Sequence, residues 1–126
     1  MEKQTSIVLI DDDQDACELL KFQLENNGKM RLTYKTTSDD AASFIAGESP
    51  DIVILDINMT GINGVEVGAA LTANKKTAAI PILYLSGMIT PDEVQDLVKG
   101  AQPPPVISKG SPVEELISAI NFITSP

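Results

Sequence analysis

The chain has no histidine in its 126 residues. That excludes every mechanism that needs an imidazole, including His-based nucleophilic triads and histidine metal sites. Cysteine is nearly as scarce: Cys17 stands alone, so no internal disulfide can form, which fits a reducing compartment. Lying inside a helical pattern, Cys17 reads as a small core or boundary residue rather than a nucleophile. Positive charge is also in short supply, with nine basic residues against eighteen acidic ones and a net charge of −9. No basic stripe is available to neutralise phosphates, which argues against nucleic acid, and the charge argues against docking on anionic membranes. No apolar run approaches the roughly 18 residues of a membrane span. Met1 to Ser6 is short and polar, unlike a signal peptide. The expectation is a soluble, cytoplasmic protein.

What is present is ordinary in amount and informative in order. Hydrophobic residues make up 43% and charged residues 21%, as in a soluble globular chain. The length suits a single domain over residues 1–126, with its elements between about 6 and 124. Short β-branched runs alternate with helical periodicity five times. After Ile7 to Ile10, Asp13 or Asp15 caps a helix whose apolar positions are Ala16, Leu19, Leu20 and Leu24, stopped by Asn26-Asn27-Gly28. Arg31 to Thr36 reads as an edge strand, and Ser38 opens a short helix that Gly47 ends. Asp51 to Leu55 is apolar enough for a central strand.

Asn63-Gly64-Val65-Glu66 offers a cap with Glu three residues later, before an Ala-rich helix to about Ala73. Ile80 to Leu85 makes a fourth strand, with Pro81 acceptable only near its start. Thr90-Pro91-Asp92-Glu93 is a capping box for a helix burying Val94, Leu97 and Val98. Ser111-Pro112-Val113-Glu114 repeats the box for a last helix with the face Val113, Leu116, Ile117, Ile120 and Ile123. Between them, Gln102-Pro103-Pro104-Pro105 reads as a stiff connector, and Val106 to Ser108 as a fifth strand. The alternation predicts an α/β fold: a five-stranded parallel sheet with helices on both faces, (βα)5 and doubly wound.

Polar residues sit where the apolar runs end. The first run meets Asp11-Asp12-Asp13, the third meets Asp56, the fourth meets Ser86 and the fifth meets Lys109. In a parallel sheet these ends share the carboxyl edge, where open α/β folds place ligands. Each has a bland reading: a helix cap, a solvated turn or a surface lysine. For Asp13 and Asp15 the cap reading is sufficient. For the others it would have to hold at four strand ends together. Carboxylates, a hydroxyl and an ammonium converging there suggest Mg²⁺-assisted phosphoryl transfer with Asp56 as acceptor. Converging carboxylates disfavour one another's charge, and Mg²⁺ with Lys109 would offset that.

The ordered set Asp11-Asp12, Asp56, Ser86 and Lys109 resembles the receiver domain of two-component response regulators, over essentially the whole chain. The resemblance implies a flavodoxin-like strand order, 2-1-3-4-5. It implies Mg²⁺ held by Asp11, Asp12, Asp56 and the Asn58 backbone carbonyl, and a phosphoryl group met by Lys109 and Ser86. The donor would be a phosphohistidine on a sensor histidine kinase or phosphotransfer protein, with small acyl phosphates as substitutes. Such a domain is substrate and catalyst of its own phosphorylation, not a turnover enzyme. With the last helix at the end of the sequence given, the expectation is a domain that acts alone by binding partners or is the front of a longer protein.

Three positions depart from the family's pattern. Gly110 follows Lys109 where a proline after a cis bond is usual; a non-proline cis bond costs roughly 3 kcal/mol, so either a trans bond with a rearranged loop or a strained cis bond is expected. Val106 stands at the switch position, three before the lysine, where an aromatic ring usually turns in behind Ser86. Thr60 replaces a common proline after the acceptor, while Asn58 and Met88 lie where side chains can flank attacking water. Two other classes share features with the chain. Asp56-Ile57-Asn58-Met59-Thr60 resembles the nucleophile motif of haloacid-dehalogenase-type phosphatases, but Asn58 cannot serve as their acid–base. A degenerate receiver that binds partners without phosphorylation is the nearer alternative. A flavodoxin-type carrier is disfavoured because the three acids would repel a flavin phosphate.

Overall fold

The computed structural model describes residues 4–26, 28–57, 64–87 and 105–125. Its elements are β1 (Thr5–Ile10), α1 (Gln14–Glu25), β2 (Met30–Lys35), α2 (Ala41–Glu48), β3 (Ile52–Asp56), α3 (Gly64–Ala73), β4 (Ile82–Ser86), β5 (Val106–Ser108) and α4 (Val113–Thr124). The strands form one parallel sheet in the order β2-β1-β3-β4-β5, as the resemblance implied. No described helix is long and apolar enough to cross a membrane.

Side chains alternate between the two faces of the sheet, so β1, β3 and β4 each feed two cores. Ile7, Leu9, Ile52, Ile54 and Leu83 pack under α1 and α4, against Cys17, Leu24, Leu116 and Ile120. Val8, Ile10, Val53, Leu55 and Tyr84 pack under α2 and α3, against Ile45, Val67 and Leu71. Strand β3 is buried at every residue because it has a strand on each side and helices on each face. That makes its last residue, Asp56, a fixed point.

Of the two expected caps of α1, Asp13 is the one used, its carboxylate accepting the Ala16 N–H at 3.2 Å. Several boundaries differ from the sequence expectation, each for a local reason. Leu19, expected on the apolar face of α1, is instead 59% exposed. Strand β2 begins one residue earlier than Arg31, because Met30 pairs with Thr5. Helix α2 starts at Ala41, not near Ser38: Asp40 sits in the left-handed region (φ 55°), and Ser38 makes the preceding turn. The same helix runs through Gly47 and ends where Ser49 turns left-handed (φ 48°). Pro81, with no N–H to donate, stays outside β4 and only accepts the Val53 N–H at 3.0 Å. The residue preceding α4 is Pro112, whose side chain caps nothing, so the box expected at Ser111 does not form as drawn. The helix expected from Thr90, the cap residue Asn63 and residues 102–104 of the proline connector lie outside the described residues.

Helix α3 reaches the sheet through glycine. A Cβ on Gly68 would collide with the Tyr84 hydroxyl and lie 3.1 Å from its Cζ. Gly68→Ala is therefore expected to destabilise the fold by roughly 1–3 kcal/mol from overpacking, despite a helix-propensity gain of about 1 kcal/mol. Adding Tyr84→Phe removes the colliding oxygen and should restore most of the loss. Urea midpoints of the two variants decide it: no recovery in the double variant would mean that the clash is not with the hydroxyl.

Candidate functional site

Each polar strand end is held by its own local structure. Asp11 continues the β1 ladder by donating its N–H to the Lys35 carbonyl at 3.1 Å, and its carboxylate accepts the Asp13 N–H at 3.0 Å. The turn into α1 thus orients the Asp11 carboxylate. The Cys17 thiol donates to the Asp11 carbonyl at 3.3 Å. Asp56 closes β3, and the next residue stays tied to β4 through Ile57 N–H to Leu85 carbonyl at 3.0 Å. Above it, Gly64 opens α3 so close that a Cβ would overlap the Asp56 carbonyl oxygen and lie 2.9 Å from the carbonyl carbon. A glycine is what lets α3 close over the end of β3. Ser86 ends β4 buried, and its carbonyl accepts the Lys109 N–H at 2.8 Å.

These elements bring the charged groups together. The Lys109 ammonium lies 2.9 Å from Asp11 Oδ2 and 3.0 Å from Asp56 Oδ2. Asp11, Asp12 and Asp56 each present a carboxylate oxygen, all within 4.8 Å of one another. Asp11 and Asp56 are 2% and 1% exposed, whereas Asp12 faces solvent. The Lys109–Gly110 bond is trans, so of the two expected geometries the rearranged loop is the one adopted. Burial works against the charge of Lys109, but hydrogen bonds to Asp11 and Asp56 and their negative charge outweigh it and raise its pKa above the usual lysine value. Burial, reinforced by the Asp11 charge, pushes the Cys17 thiol up to about 12. It stays a protonated thiol at neutral pH, as its reading as a core residue requires.

Val106 is half-buried opposite Tyr84 and packs against the core under α2 and α3, offering neither ring nor hydroxyl. Asn58, Thr60 and Met88 lie outside the described residues. The donor set suits a small divalent cation: three carboxylates supply hard oxygens, one of them on the open side, and a single ammonium does not balance them. Two features were not foreseen from sequence. The close approach of Gly64 was hidden because Asn63-Gly64 read as a cap. A groove of about 250 Å³ also opens beside Lys109 between α1 and α4, lined by Leu19, Leu20, Ile107 and Val113. The only trace of it in sequence was Leu19, which the helical period assigned to the core.

Removing the ammonium would leave two buried carboxylates facing each other. Lys109→Met is expected to cost roughly 2–3 kcal/mol without divalent cations, less than the 3–5 kcal/mol of a fully enclosed pair because the Lys109 side chain is 30% exposed. Mg²⁺ should then raise the melting temperature more in the variant than in the parent, by replacing the lost charge. Thermal melts with and without Mg²⁺ check this; an equal response in both chains would separate Lys109 from the carboxylate cluster.

Residues 7–121 match the family described as "Response regulator receiver domain". The chain is 31% identical over 119 residues to "Protein PilH" of Pseudomonas aeruginosa, covering 93% of this chain and 95% of that protein. Its fold is shared with a Chloroflexus aurantiacus protein of known crystal structure (TM-score 0.86, 22% identity, covering 98% and 100% of the two chains). It is also shared with the BeF3-activated N-terminal receiver domain of Klebsiella pneumoniae RstA (TM-score 0.84, 25% identity, covering 96% and 99%). With a matching family, a similar protein of nearly equal length and one ammonium joining two buried carboxylates at the sheet edge, the chain belongs to the response regulator receiver domains of two-component signalling systems.

Proposed function

We propose that Asp56 accepts a phosphoryl group from a phosphohistidine on a sensor histidine kinase or phosphotransfer protein, and that the change alters which partner or output domain this chain engages. The observation that carries the reading is the contact of one ammonium with two buried carboxylates, 2.9 and 3.0 Å away, beside a third carboxylate open to solvent. A carboxylate so placed is a nucleophile with its charge supported. An Asp56 oxygen attacks phosphorus as the P–N bond of the donor breaks. The imidazole leaves with the bonding electron pair, neutral when its other nitrogen already carries a proton. The product is an acyl phosphate on Asp56.

Asp11, Asp12 and Asp56 would hold Mg²⁺, with the Asn58 carbonyl as the further ligand that the family resemblance implies. When bound, the ion would supply positive charge to the carboxylates and to the phosphoryl oxygens. Lys109 has a flexible stem and three N–H donors, so it can keep Asp11 while following the phosphoryl oxygens as Asp56 is phosphorylated. Ser86, at the end of the neighbouring strand, has a hydroxyl to donate to the same group. Its movement toward the phosphoryl group would be the first step of the switch, a shift between two populated states. With Val106 lacking a ring, the signal would have to travel by loop movement around Ser86 to Met88 or by a different surface. The apolar groove at Leu19 and Leu20, next to Lys109, gives the donor protein a surface to rest on while its phosphohistidine reaches Asp56. The domain acts in the cytoplasm, as the substrate and catalyst of its own phosphorylation.

Incubation with acetyl phosphate and Mg²⁺ should add one phosphoryl group to the intact mass. The gain should vanish in Asp56→Asn and on chelation of divalent cations. A gain that persists in Asp56→Asn would place the acceptor elsewhere. No gain in the parent would leave a receiver fold that binds its partners unphosphorylated.

A further inference from the structure

Lys109 must be held by something other than a fixed peptide geometry, since the residue after it is Gly110 and the bond between them is trans. Beyond the end of β5, two hydrogen bonds define the turn on which it sits, and both are accepted by one residue. The Ser108 hydroxyl accepts the Gly110 N–H at 3.2 Å, and the Ser108 carbonyl accepts the Ser111 N–H at 3.0 Å. The residue is itself pinned to the sheet, paired with Ser86 across the β4–β5 ladder. Lys109 therefore occupies the tip of a turn closed by Ser108 on the far side and by its own N–H to the Ser86 carbonyl, at 2.8 Å, on the near side. From there its stem crosses the end of β4, passing so close to Gly87 that a Cβ there would lie 3.3 Å from Lys109 Cδ. Gly110 accepts this turn without a positive φ, so the hydroxyl bond rather than backbone freedom fixes its shape.

We propose that Ser108 is a positioning residue for the phosphoryl-transfer site: its hydroxyl, by holding the Gly110 N–H, aims the Lys109 ammonium at Asp11 and Asp56. The proposal rests on the reading of Asp56 as acceptor. Its consequence has a sign that general damage does not. A loosened ammonium supports the transfer less well, so phosphoryl uptake slows. The same loosening takes a competing positive charge off the carboxylates, so Mg²⁺ binds more tightly. A site that had merely unravelled would lose both.

The test uses four variants of the full chain: Ser108→Ala, Ser108→Thr, Gly110→Pro, and Ser108→Ala combined with Gly110→Pro. Uptake from acetyl phosphate is followed by intact mass, and Mg²⁺ affinity by titration calorimetry. Ser108→Ala should slow uptake by roughly three- to tenfold, the scale of one lost hydrogen bond, while tightening Mg²⁺ binding about two- to threefold. Ser108→Thr keeps the hydroxyl and should match the parent within about twofold. Gly110→Pro removes the N–H that the hydroxyl holds, so in that background Ser108→Ala should change neither quantity by more than about twofold. Unchanged uptake in Ser108→Ala overturns the proposal. So does an equal slowing in the Gly110→Pro background, which would place the hydroxyl's partner elsewhere, or a loss of Mg²⁺ affinity along with rate. If the parent takes up no phosphoryl group, the acceptor reading fails instead. The Mg²⁺ affinities still decide the position of Lys109: tighter binding by Ser108→Ala than by Ser108→Thr supports it, and equal binding overturns it.

Discussion

The site depends on an ammonium set against crowded negative charge. Two unit charges 4 Å apart interact by roughly 4 kcal/mol at the effective dielectric of a protein surface. Three carboxylates within 4.8 Å of each other are therefore in conflict on a scale close to the whole stability of a small domain, about 5–15 kcal/mol. Lys109 relieves that conflict at the two buried members, Asp11 and Asp56. The exposed member, Asp12, has water to screen it. The arrangement holds the cluster near neutrality only in part, leaving it prone to take up a cation.

The fold is arranged so that this contact spans the sheet. Asp11 and Asp56 come from adjacent strands, but Lys109 comes from β5, with β4 lying between β5 and β3. The lysine has to reach over the end of a whole strand, and glycine at position 87 leaves its stem room to do so. Gly64 answers a similar need on the other side, letting α3 approach the Asp56 carbonyl. Glycines at a sheet edge read as loop punctuation in a sequence; here they set how near the chain can come to the charged groups at that edge.

Much of the fold was legible because two periods alternate cleanly. Apolar β-branched runs gave the strands, and the polar residues ending four of them gave the candidate site, since a parallel sheet has one carboxyl edge. What was misread involved competition between neighbours. Leu19 fits the helical period but meets the groove between α1 and α4, which arises only once both helices are packed. Ser111 has a good cap sequence, yet the helix begins after Pro112 and the Ser111 N–H is engaged by Ser108. The trans bond before Gly110 could be narrowed to two options and no further, because the bonds that hold the turn join residues within it and leave no mark on periodicity.

Tyr84 carries a further consequence. The chain has no tryptophan and two tyrosines, so when excited at wavelengths too long for phenylalanine to absorb it emits from Tyr34 and Tyr84. Tyr34 sits on β2 with its hydroxyl donating to Glu18 at 3.3 Å. Tyr84 is buried in β4, two residues before Ser86 on the same face of the strand and directly across from Val106. An optical reporter is thus built into the strand that ends at the site, on the ladder that joins it to the strand leading to Lys109. Tyr34→Phe would silence the distant chromophore and leave a chain whose intrinsic fluorescence reads β4 alone, with no label attached.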